Sequence, residues 1–296
     1  MYTTTSVAEL LALGDEELFA QAQEVRKDLP QFRWSPNLIN PACRTDPRCE
    51  HCKWECFKSE QQMFEARRPI DQILAQAEVQ VSMGVTRILM PSGWLGYHLP
   101  SYFFASVKAV KERFDVEVFG LSGAIDRESL EGLKDAGMDG YWCGLESINE
   151  EIYRRFRPGG DTLSDRLETI ANVQDLGLKL QSGFVLGFGL PEADVIASLE
   201  LLGGMKLDSL VIQPFIPFPH TGMAAEDPVN PHYWARVLAA AGIYLPKVNV
   251  VITEADGPHA NFATLTGANV WPTFPRLFAG GNQQPESTGL TLPKAG

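Results

Sequence analysis

The sequence of 296 residues contains no apolar run long enough for a transmembrane helix, which needs about 20 consecutive apolar residues. Basic residues are also scarce, since 25 Lys and Arg stand against 37 Asp and Glu and give a formal net charge of −12. Phosphate backbones and anionic lipids repel such a chain, so we expect neither a nucleic-acid partner nor a membrane partner. The first residues lack the basic and apolar stretches of a signal peptide. We therefore expect a soluble, cytoplasmic protein.

Cysteine is scarce as well, yet four of the five cysteines lie close together. Cys43, Cys49, Cys52 and Cys56 follow the spacing Cys-x5-Cys-x2-Cys-x3-Cys, and Cys143 stands alone. A chain of this length does not need disulfides for stability, and clustered thiols in a reducing compartment more often hold metal. Two metal sites are compatible with this spacing: a closed four-thiolate site for zinc or a cluster, and a [4Fe–4S] cluster held by three thiolates with one iron left open. Buried thiols without metal are the third interpretation.

Short apolar runs alternate with helical stretches after an N-terminal helical segment, residues 1–34. We predict eight strands, at 37–41, 86–90, 116–121, 140–144, 178–186, 209–215, 248–252 and 268–270. This alternation is typical of parallel βαβ units and predicts an α/β fold. We expect a (β/α)8 TIM-type barrel over residues 35–277, with an open doubly wound sheet as the alternative, and a C-terminal tail over residues 278–296.

Polar residues and glycines follow most of the predicted strands. At these positions the sequence has Cys43, Ser92, Gly93, Ser122, Glu146, Gly187, Gln213, Thr253 and Glu254. In a barrel, the carboxyl ends of all strands share one rim, and active sites lie there. The position of the cysteines after the first strand, together with the presence of a single CxxC, favours the open iron–sulfur cluster over a zinc site. The convergence of polar groups favours an enzyme over a scaffold.

The chain resembles radical S-adenosylmethionine (SAM) enzymes of the biotin-synthase-like branch, which includes the [FeFe]-hydrogenase maturase, methylornithine synthase and biotin synthase. The resemblance runs from about Leu38 to Arg276 and rests on the motifs NPACRTDPRCEHC, AGMDGYWCGLES, RPGGDTLSDRL, LQSGFVLGFGLPEADV, PFIPFPHTGMA and LTGANVWP. It implies a [4Fe–4S] cluster and SAM as cofactors, and reductive cleavage of SAM to a 5′-deoxyadenosyl radical. It also implies that the radical abstracts hydrogen from a small-molecule substrate, and that an electron donor such as a ferredoxin or flavodoxin reduces the cluster.

The first gap between cysteines departs from the Cys-x3-Cys-x2-Cys pattern that is usual in these enzymes. A gap of five residues resembles the radical SAM protein of guanylylpyridinol (FeGP) cofactor biosynthesis, which serves [Fe]-hydrogenase. This resemblance implies Cys43, Cys49 and Cys52 as cluster ligands and a role in pyridinol formation. The set Cys49, Cys52 and Cys56 is the alternative, and we expect Cys143 to belong to the core. No cysteines remain for the second cluster of biotin synthase, which argues against sulfur insertion.

The resemblance also implies cofactor-binding residues by position. Arg166 would pair with the SAM carboxylate, and Glu146 would contact its amine or ribose. Ser92 and Gly93 stand where the second-strand motif of the family meets the amine. The remaining implied cofactor residues lie near adenine, and they are His51 and Gly187. The residues that catalyse the reaction on the substrate are not identified by the sequence.

Candidate substrate-binding residues come from the polar strand ends and are Ser122, Gln213, Thr253 and Glu254. We expect the aromatic residues Trp94, Tyr97, Trp142, Phe188 and Phe215 to exclude water from the rim. Two other functions stay open: a carbon-skeleton mutase of the methylornithine-synthase type, and a zinc-stabilised binding protein. A lysine-like substrate needs carboxylate and ammonium partners, and the sequence shows no obvious second arginine on the rim. This favours the pyridinol precursor.

Overall fold

The computed structural model describes residues 5–253 and 257–273. The strands are β1 (Phe32–Pro36), β2 (Ala42–Cys43), β3 (Glu55–Cys56), β4 (Arg87–Pro91), β5 (Glu117–Leu121), β6 (Gly140–Trp142), β7 (Lys179–Leu186), β8 (Ser209–Pro214), β9 (Asn249–Val251) and β10 (Val270–Pro272). The helices are α1 (Val7–Leu11), α2 (Asp15–Arg26), α3 (Glu60–Ala66), α4 (Ile70–Ser82), α5 (Ser101–Arg113), α6 (Arg127–Asp135), α7 (Glu150–Phe156), α8 (Leu163–Asp175), α9 (Glu192–Gly203), α10 (Pro231–Tyr244) and α11 (Gly257–Ala263). The predicted tail, 278–296, lies outside the described residues.

Eight strands close into a parallel barrel in the order β1, β10, β9, β8, β7, β6, β5, β4. β2 and β3 form a separate two-stranded parallel sheet. The predicted (β/α)8 barrel is therefore confirmed. Across the helices of residues 5–253 and 257–273, none has the length and apolar character that crossing a membrane requires.

Large side chains fill the inside of the barrel, so that it is a packed core rather than a pore. Seven strands contribute one buried residue each: Trp34, Leu89, Phe119, Trp142, Val211, Val251 and Val270. The Trp34 indole N–H donates to the Ile252 carbonyl at 3.0 Å, which satisfies its polar group inside the core. A larger layer of buried apolar residues lies between the strands and the surrounding helices. This packing leaves only the barrel ends for polar chemistry.

The prediction of the first strand at 37–41 is wrong. β1 pairs with β10 and β4 over Phe32–Pro36, so it crosses the boundary that we predicted between residues 34 and 35. Polar Arg33 and Ser35 conceal this strand in the sequence. The apolar-looking segment after it is held instead by two asparagine amides, since Asn37 donates to the Ile73 carbonyl and Asn40 to the Met63 carbonyl, each at 2.9 Å.

The chain after β1 still follows β4, and this places the cysteines above the barrel. The backbone N–H of Ile39 donates to the Pro91 carbonyl at 2.9 Å, and Asn40 forms a bridge with Ser92. Because Pro91 is the last residue of β4, the segment leads directly from the first strand to the carboxyl end of its neighbour. β10 likewise begins two residues later than predicted, at Val270.

The N-terminal helices α1 and α2 form where the sequence predicts helices, and they pack against α10. Arg26, at the end of α2, is buried and binds the turns around the last strands. Its guanidinium donates to the carbonyls of Gly267 at 2.7 Å and Val248 at 2.9 Å, and to the Asn269 side chain at 2.9 Å. Burial lowers the pKa of Arg26 to about 10, so that it stays charged at neutral pH.

A buried ion cluster closes the amino end of the barrel. Arg87, the first residue of β4, lies 2.8 Å from the Glu117 carboxylate and 3.0 Å from that of Asp208. It also donates to the Ser209 hydroxyl at 2.7 Å. The Arg87 side chain is only 4% exposed. Its charge is therefore compensated inside the protein rather than by water.

We predict that Arg87→Ala lowers the free energy of unfolding by about 3 kcal/mol, because it leaves two carboxylates without their shared cation. The matched control is Arg127→Ala, which removes a half-exposed arginine paired with Glu131 and Asp175 and should lower the free energy of unfolding much less, because water screens these pairs. Urea unfolding of both variants measures the difference. Equal losses in the two variants would show that the buried cluster does not hold the barrel end together.

Candidate active site

A cavity of about 1230 Å³, counting space that opens to solvent, lies at the carboxyl ends of the barrel strands. Nine residues that we predicted at the site line this cavity: Cys43, Cys49, His51, Cys52, Ser92, Gly93, Glu146, Arg166 and Gln213. Arg157, which we did not predict, lines it as well. Four of the five aromatic residues that we expected at the rim line it too, and they are Trp94, Trp142, Phe188 and Phe215. Tyr97 is instead exposed, and its hydroxyl donates to Asp165 at 2.7 Å.

The cysteine loop, residues 43–56, connects the two strands of the small sheet. Arg48 holds its centre by donating from Nη2 to the Cys52 carbonyl at 2.6 Å. The backbone N–H of Glu50 donates to the Phe156 carbonyl at 3.0 Å, which ties the loop to α7. Cys43, Cys49 and Cys52 line the cavity, whereas Cys56 lines a separate depression on the surface. Three thiols of the loop therefore line the cavity, and the fourth, that of Cys56, lines the neighbouring depression.

The four thiols differ in their surroundings. Hydrogen bonds from Cys56 and Thr45 lower the pKa of Cys43 to about 6. Burial raises the pKa of Cys49, and it raises that of Cys52 to about 12. Buried thiols of this kind become thiolates when a positively charged centre binds them. Within residues 5–253 and 257–273, no three cysteine, histidine or carboxylate side chains are arranged to share a single metal ion.

Gly93 lets the cysteine loop lie directly on the barrel. A Cβ at this position would stand 2.2 Å from the Ala42 carbonyl oxygen and 2.7 Å from the Cys43 Cβ. Both distances are impossible for a side chain, and the first involves backbone, which cannot rotate away. Only glycine therefore permits this approach of Cys43 to the end of β4.

Four charged side chains beside the cysteine loop form the charge cluster, which consists of Glu146, Arg157, Asp161 and Arg166. Asp161 binds both arginines: Arg166 Nε donates to it at 2.9 Å, and Arg157 donates from Nη2. The other Asp161 partner is the backbone N–H of Ala124, at 2.8 Å. The Arg166 Nη1 lies 3.0 Å from Glu146, and the Arg157 Nη1 lies 3.7 Å from it. Two cations and two carboxylates therefore balance in one buried group.

Ion pairing keeps both carboxylates ionised although the site is buried. Burial raises the pKa of Asp161, but the charges of Arg166 and Arg157 outweigh this and lower it to about 2. Burial likewise raises the pKa of Glu146, and the two arginines again shift it below its usual value. The side chain of Asp161 is 0% exposed, so neither arginine can lose it without leaving a buried charge uncompensated.

Two residues at the cavity adopt backbone conformations that are unusual for residues other than glycine. Glu146 has φ of 58° and Phe188 has φ of 59°. Such left-handed conformations cost energy for residues with a Cβ and concentrate at functional sites. Glu146 lies in the segment that follows the end of β6. A bridge between Glu146 and Phe184 of β7 fixes its backbone.

An aromatic group covers the cysteine loop on the side of α7. The His51 ring lies 5.1 Å from the Phe188 ring, and Phe188 stacks on Phe156 at 3.9 Å. Burial lowers the pKa of His51 to about 4, so its imidazole is neutral at pH 7. Its Nδ1 is buried and has no hydrogen-bond partner. The ring therefore offers a ligand both an apolar face and one unused polar atom.

Several predicted site residues do not line the cavity. Ser122 is fully buried, and its hydroxyl donates to the Gly93 carbonyl at 3.0 Å, so it supports the site from behind. Gly187 packs against the Phe215 side chain. Thr253 is buried with its hydroxyl unpartnered, and Glu254 lies outside the described residues. Cys143 is in the core, as expected.

Arg157 and Asp161 are the residues that sequence reasoning missed. The expectation that the rim has no second arginine is wrong, because Arg157 lines the cavity beside Arg166. Both missed residues lie in the motif RPGGDTLSDRL, which starts at Arg157 and ends one residue after Arg166. Asp161 lies four residues after Arg157 and five before Arg166, and this spacing could have indicated a carboxylate shared by the two arginines. Pro158, Gly159 and Gly160 mark a turn between α7 and α8, but they do not show that this turn brings both arginines to one carboxylate.

Comparison with known proteins gives one family. The radical SAM superfamily matches residues 39–202. Biotin synthase of Agrobacterium fabrum is 32% identical over 208 residues, which are 68% of this chain and 60% of that protein. Biotin synthase of Brucella ovis is 31% identical over 227 residues, covering 73% of this chain and 66% of the relative. The chain thus spans about two thirds or less of the length of these relatives.

Solved structures share the fold. Methylornithine synthase superposes with a TM-score of 0.79 and 18% identity, over 98% of this chain and 88% of that one. The FeFe-hydrogenase maturase HydG from Carboxydothermus hydrogenoformans gives a TM-score of 0.76 and 19% identity, over 94% of this chain and 69% of that one. Both comparisons support the closed barrel fold.

We predict that Asp161→Asn destabilises the chain in a pH-dependent way. An Asp161 pKa of about 2 in the folded chain, against about 3.9 unfolded, stabilises the fold by about 2 to 3 kcal/mol above pH 5. This contribution is lost as the pH falls from about 4 toward 2, so the difference between wild type and variant should shrink there. Urea unfolding at several pH values measures it, with the exposed Asp175→Asn as control. If the difference in unfolding free energy between wild type and Asp161→Asn stays constant down to pH 3, the pairing of Asp161 with the two arginines is refuted.

Proposed function

This chain belongs to the radical SAM superfamily, and we propose that it is a radical SAM enzyme of the biotin-synthase-like kind whose [4Fe–4S] cluster is held by Cys43, Cys49 and Cys52. Membership of the family implies that cluster and SAM as cofactors. When bound, they supply reductive cleavage of SAM to a 5′-deoxyadenosyl radical that abstracts hydrogen from a substrate. The observation that carries the ligand assignment is that these three thiols line one cavity, whereas Cys56 lines another depression.

The residues present are compatible with such a cluster. Thiolates are the usual ligands of iron–sulfur clusters, and three thiols on one loop leave a fourth iron free for SAM. Burial raises the pKa of Cys49, and the positive charge of Arg157 offsets part of this rise. The close approach allowed by Gly93 holds Cys43 at the edge of the barrel mouth.

The charge cluster supplies groups of both signs for the amino-acid part of SAM. We propose that Arg166 binds its carboxylate and Glu146 its amine or ribose, with Ser92 and Gly93 next to the amine. His51 and the region of Gly187 would adjoin adenine. Phe188 and Phe215 close this side of the cavity with apolar rings, which keeps water away from a reactive site. An electron donor such as a ferredoxin or flavodoxin, and a cytoplasmic location, complete the proposal.

We propose that the substrate is a precursor of the pyridinol ring of the FeGP cofactor. The cavity floor consists of Leu121, Trp142 and Val211, which are apolar, and Gln213 adds one uncharged polar group. A flat, uncharged ring suits such a floor better than an ammonium or carboxylate group does. The five-residue gap between Cys43 and Cys49 points the same way. Glu254 stays a proposed substrate residue, whereas Ser122 and Thr253 are buried outside the cavity lining and would act on a substrate only through their neighbours.

Arg157 favours a second candidate function, a carbon-skeleton mutase acting on an amino acid. Its side chain is 9% exposed, lines the cavity, and has an Nε without a hydrogen-bond partner. A buried guanidinium with an unused donor is suited to a substrate carboxylate. Methylornithine synthase, with the same fold, gives this candidate a concrete reaction.

We predict that Cys43→Ala, Cys49→Ala and Cys52→Ala each lower 5′-deoxyadenosine formation by more than about 100-fold, since a cluster ligand is lost. The matched control, Cys56→Ala, should retain most of the wild-type activity. The measurement is anaerobic reconstitution with iron and sulfide, followed by dithionite and SAM, with iron content determined in parallel. Loss of activity in Cys56→Ala but not in Cys43→Ala would overturn the ligand set. One tightly bound zinc and no iron would overturn the proposal that this protein is a radical SAM enzyme.

The two substrate proposals are separated by what stimulates SAM cleavage. We predict that pyridinol precursors increase 5′-deoxyadenosine formation and that lysine does not. Wild type and Arg157→Gln should respond similarly to an uncharged precursor. Stimulation by lysine, lost in Arg157→Gln together with a rearranged amino-acid product, would favour the mutase instead.

A further inference from the structure

We propose that Cys56 is a redox partner of Cys43: when Cys43 is not bound to iron, the two form a disulfide by exchange with an anionic small-molecule disulfide such as oxidised glutathione. Cys56 is the thiol of the cysteine loop that the proposed ligand set does not use. Pairing with Cys43 would give Cys56 a chemical role. The evidence for this pairing is the position of the two residues in the small sheet.

The small sheet holds the two cysteines side by side. Cys43 in β2 and Cys56 in β3 are direct partners in a parallel pair, and the Phe57 N–H donates to the Cys43 carbonyl at 2.9 Å. Neighbouring strands lie about 4.8 Å apart, which falls within the Cα separations of natural disulfides. The hydroxyl of Thr45 lies 3.3 Å from the sulfur of each cysteine, so both sulfurs point to the same place.

The two thiols are reached from opposite sides. Cys43 is 7% exposed and lines the cavity. Cys56 is half-buried and lines a surface depression together with Arg44, Arg48 and Lys58. Asp46 is the acidic residue of that lining and pairs with Lys58 at 3.4 Å, and Arg44 pairs with Glu60. Positive charges in the lining still outnumber negative ones, which suits an anionic thiol compound.

The exchange is balanced and needs no other oxidant. One of the two cysteines, as its thiolate, attacks the external disulfide, forms a mixed disulfide and releases one small thiol. The other cysteine then attacks the protein sulfur of that mixed disulfide, forms the Cys43–Cys56 bond and releases the second small thiol. Two protein thiols are oxidised, and one small disulfide is reduced to two thiols, with the protons of Cys43 and Cys56 passing to them.

The consequence for the cluster rests on the proposed function. If Cys43 is a ligand, the disulfide removes it from the ligand set and prevents iron from binding until a reductant opens the bond. It would also protect Cys43 from irreversible oxidation. Cluster loading would then require a reduced loop as well as iron and sulfide.

The test treats the full-length, chelator-stripped protein with oxidised glutathione, alkylates the remaining thiols, and maps cross-linked peptides by mass spectrometry. We expect free thiols to fall from five to three, with a peptide linking Cys43 to Cys56. The Cys143→Ser variant, which alters a core thiol, should give the same link. Cys56→Ser, which keeps a small polar side chain next to Thr45, should instead show glutathione attached to single cysteines. Linkage of Cys49 to Cys52 as the main product would overturn the proposal, as would unreacted Cys43 and Cys56.

Iron uptake after oxidation separates this inference from the proposed function. Oxidised wild type should bind no cluster until dithiothreitol is added, and then bind it as the reduced protein does. If the Cys43–Cys56 link forms but iron still binds fully, the pairing stands and the assignment of Cys43 as a ligand fails. If the link does not form while iron binds to the reduced protein, the ligand set stands and the pairing fails.

Discussion

The site depends on one fully buried carboxylate, that of Asp161. It binds Arg157 and Arg166 and also accepts the backbone N–H of Ala124, so it joins the end of β5 to the turn before α8. Arg166 in turn reaches the Gly144 carbonyl after β6 and the Glu146 carboxylate. Burying these charges without one another would cost several kcal/mol, so each of the four groups depends on the others for compensation of its charge. The polar wall of the cavity is therefore set before any ligand arrives.

The position of the cysteine loop is set mainly by backbone geometry. The cysteine loop lies on the barrel because Gly93 has no Cβ, and its centre is held by Arg48 and by the contact of Glu50 with α7. Glu146 faces this loop from a left-handed backbone conformation. The site thus combines the thiols of the loop with an adjacent group of two cations and two carboxylates, whose charges balance. Such a combination can bind a metal cluster and a zwitterion next to each other.

Much of the fold and part of the site could be predicted from the sequence. Alternating apolar runs predicted the barrel, because parallel strands buried on both faces are short and apolar. The predicted position of the first strand was wrong because Arg33 and Ser35 break that pattern. Glu146 could be placed at the cavity because it follows the fourth predicted strand, and Arg166 because of the resemblance in its motif, DTLSDRL. Arg157 could not, because its position depends on a turn whose geometry is fixed by ion pairs with Asp161 and Glu146.

Mössbauer spectroscopy of the protein reconstituted with ⁵⁷Fe, recorded with and without SAM, tests whether one iron of the cluster is open. If Cys43, Cys49 and Cys52 hold the cluster beside the charge cluster, one of the four irons lacks a thiolate and is free for SAM. We predict that SAM changes the isomer shift of that iron alone and that the isomer shifts of the other three stay the same. Four irons that do not respond to SAM would contradict it, because the cluster would then be closed and the cavity would serve another ligand.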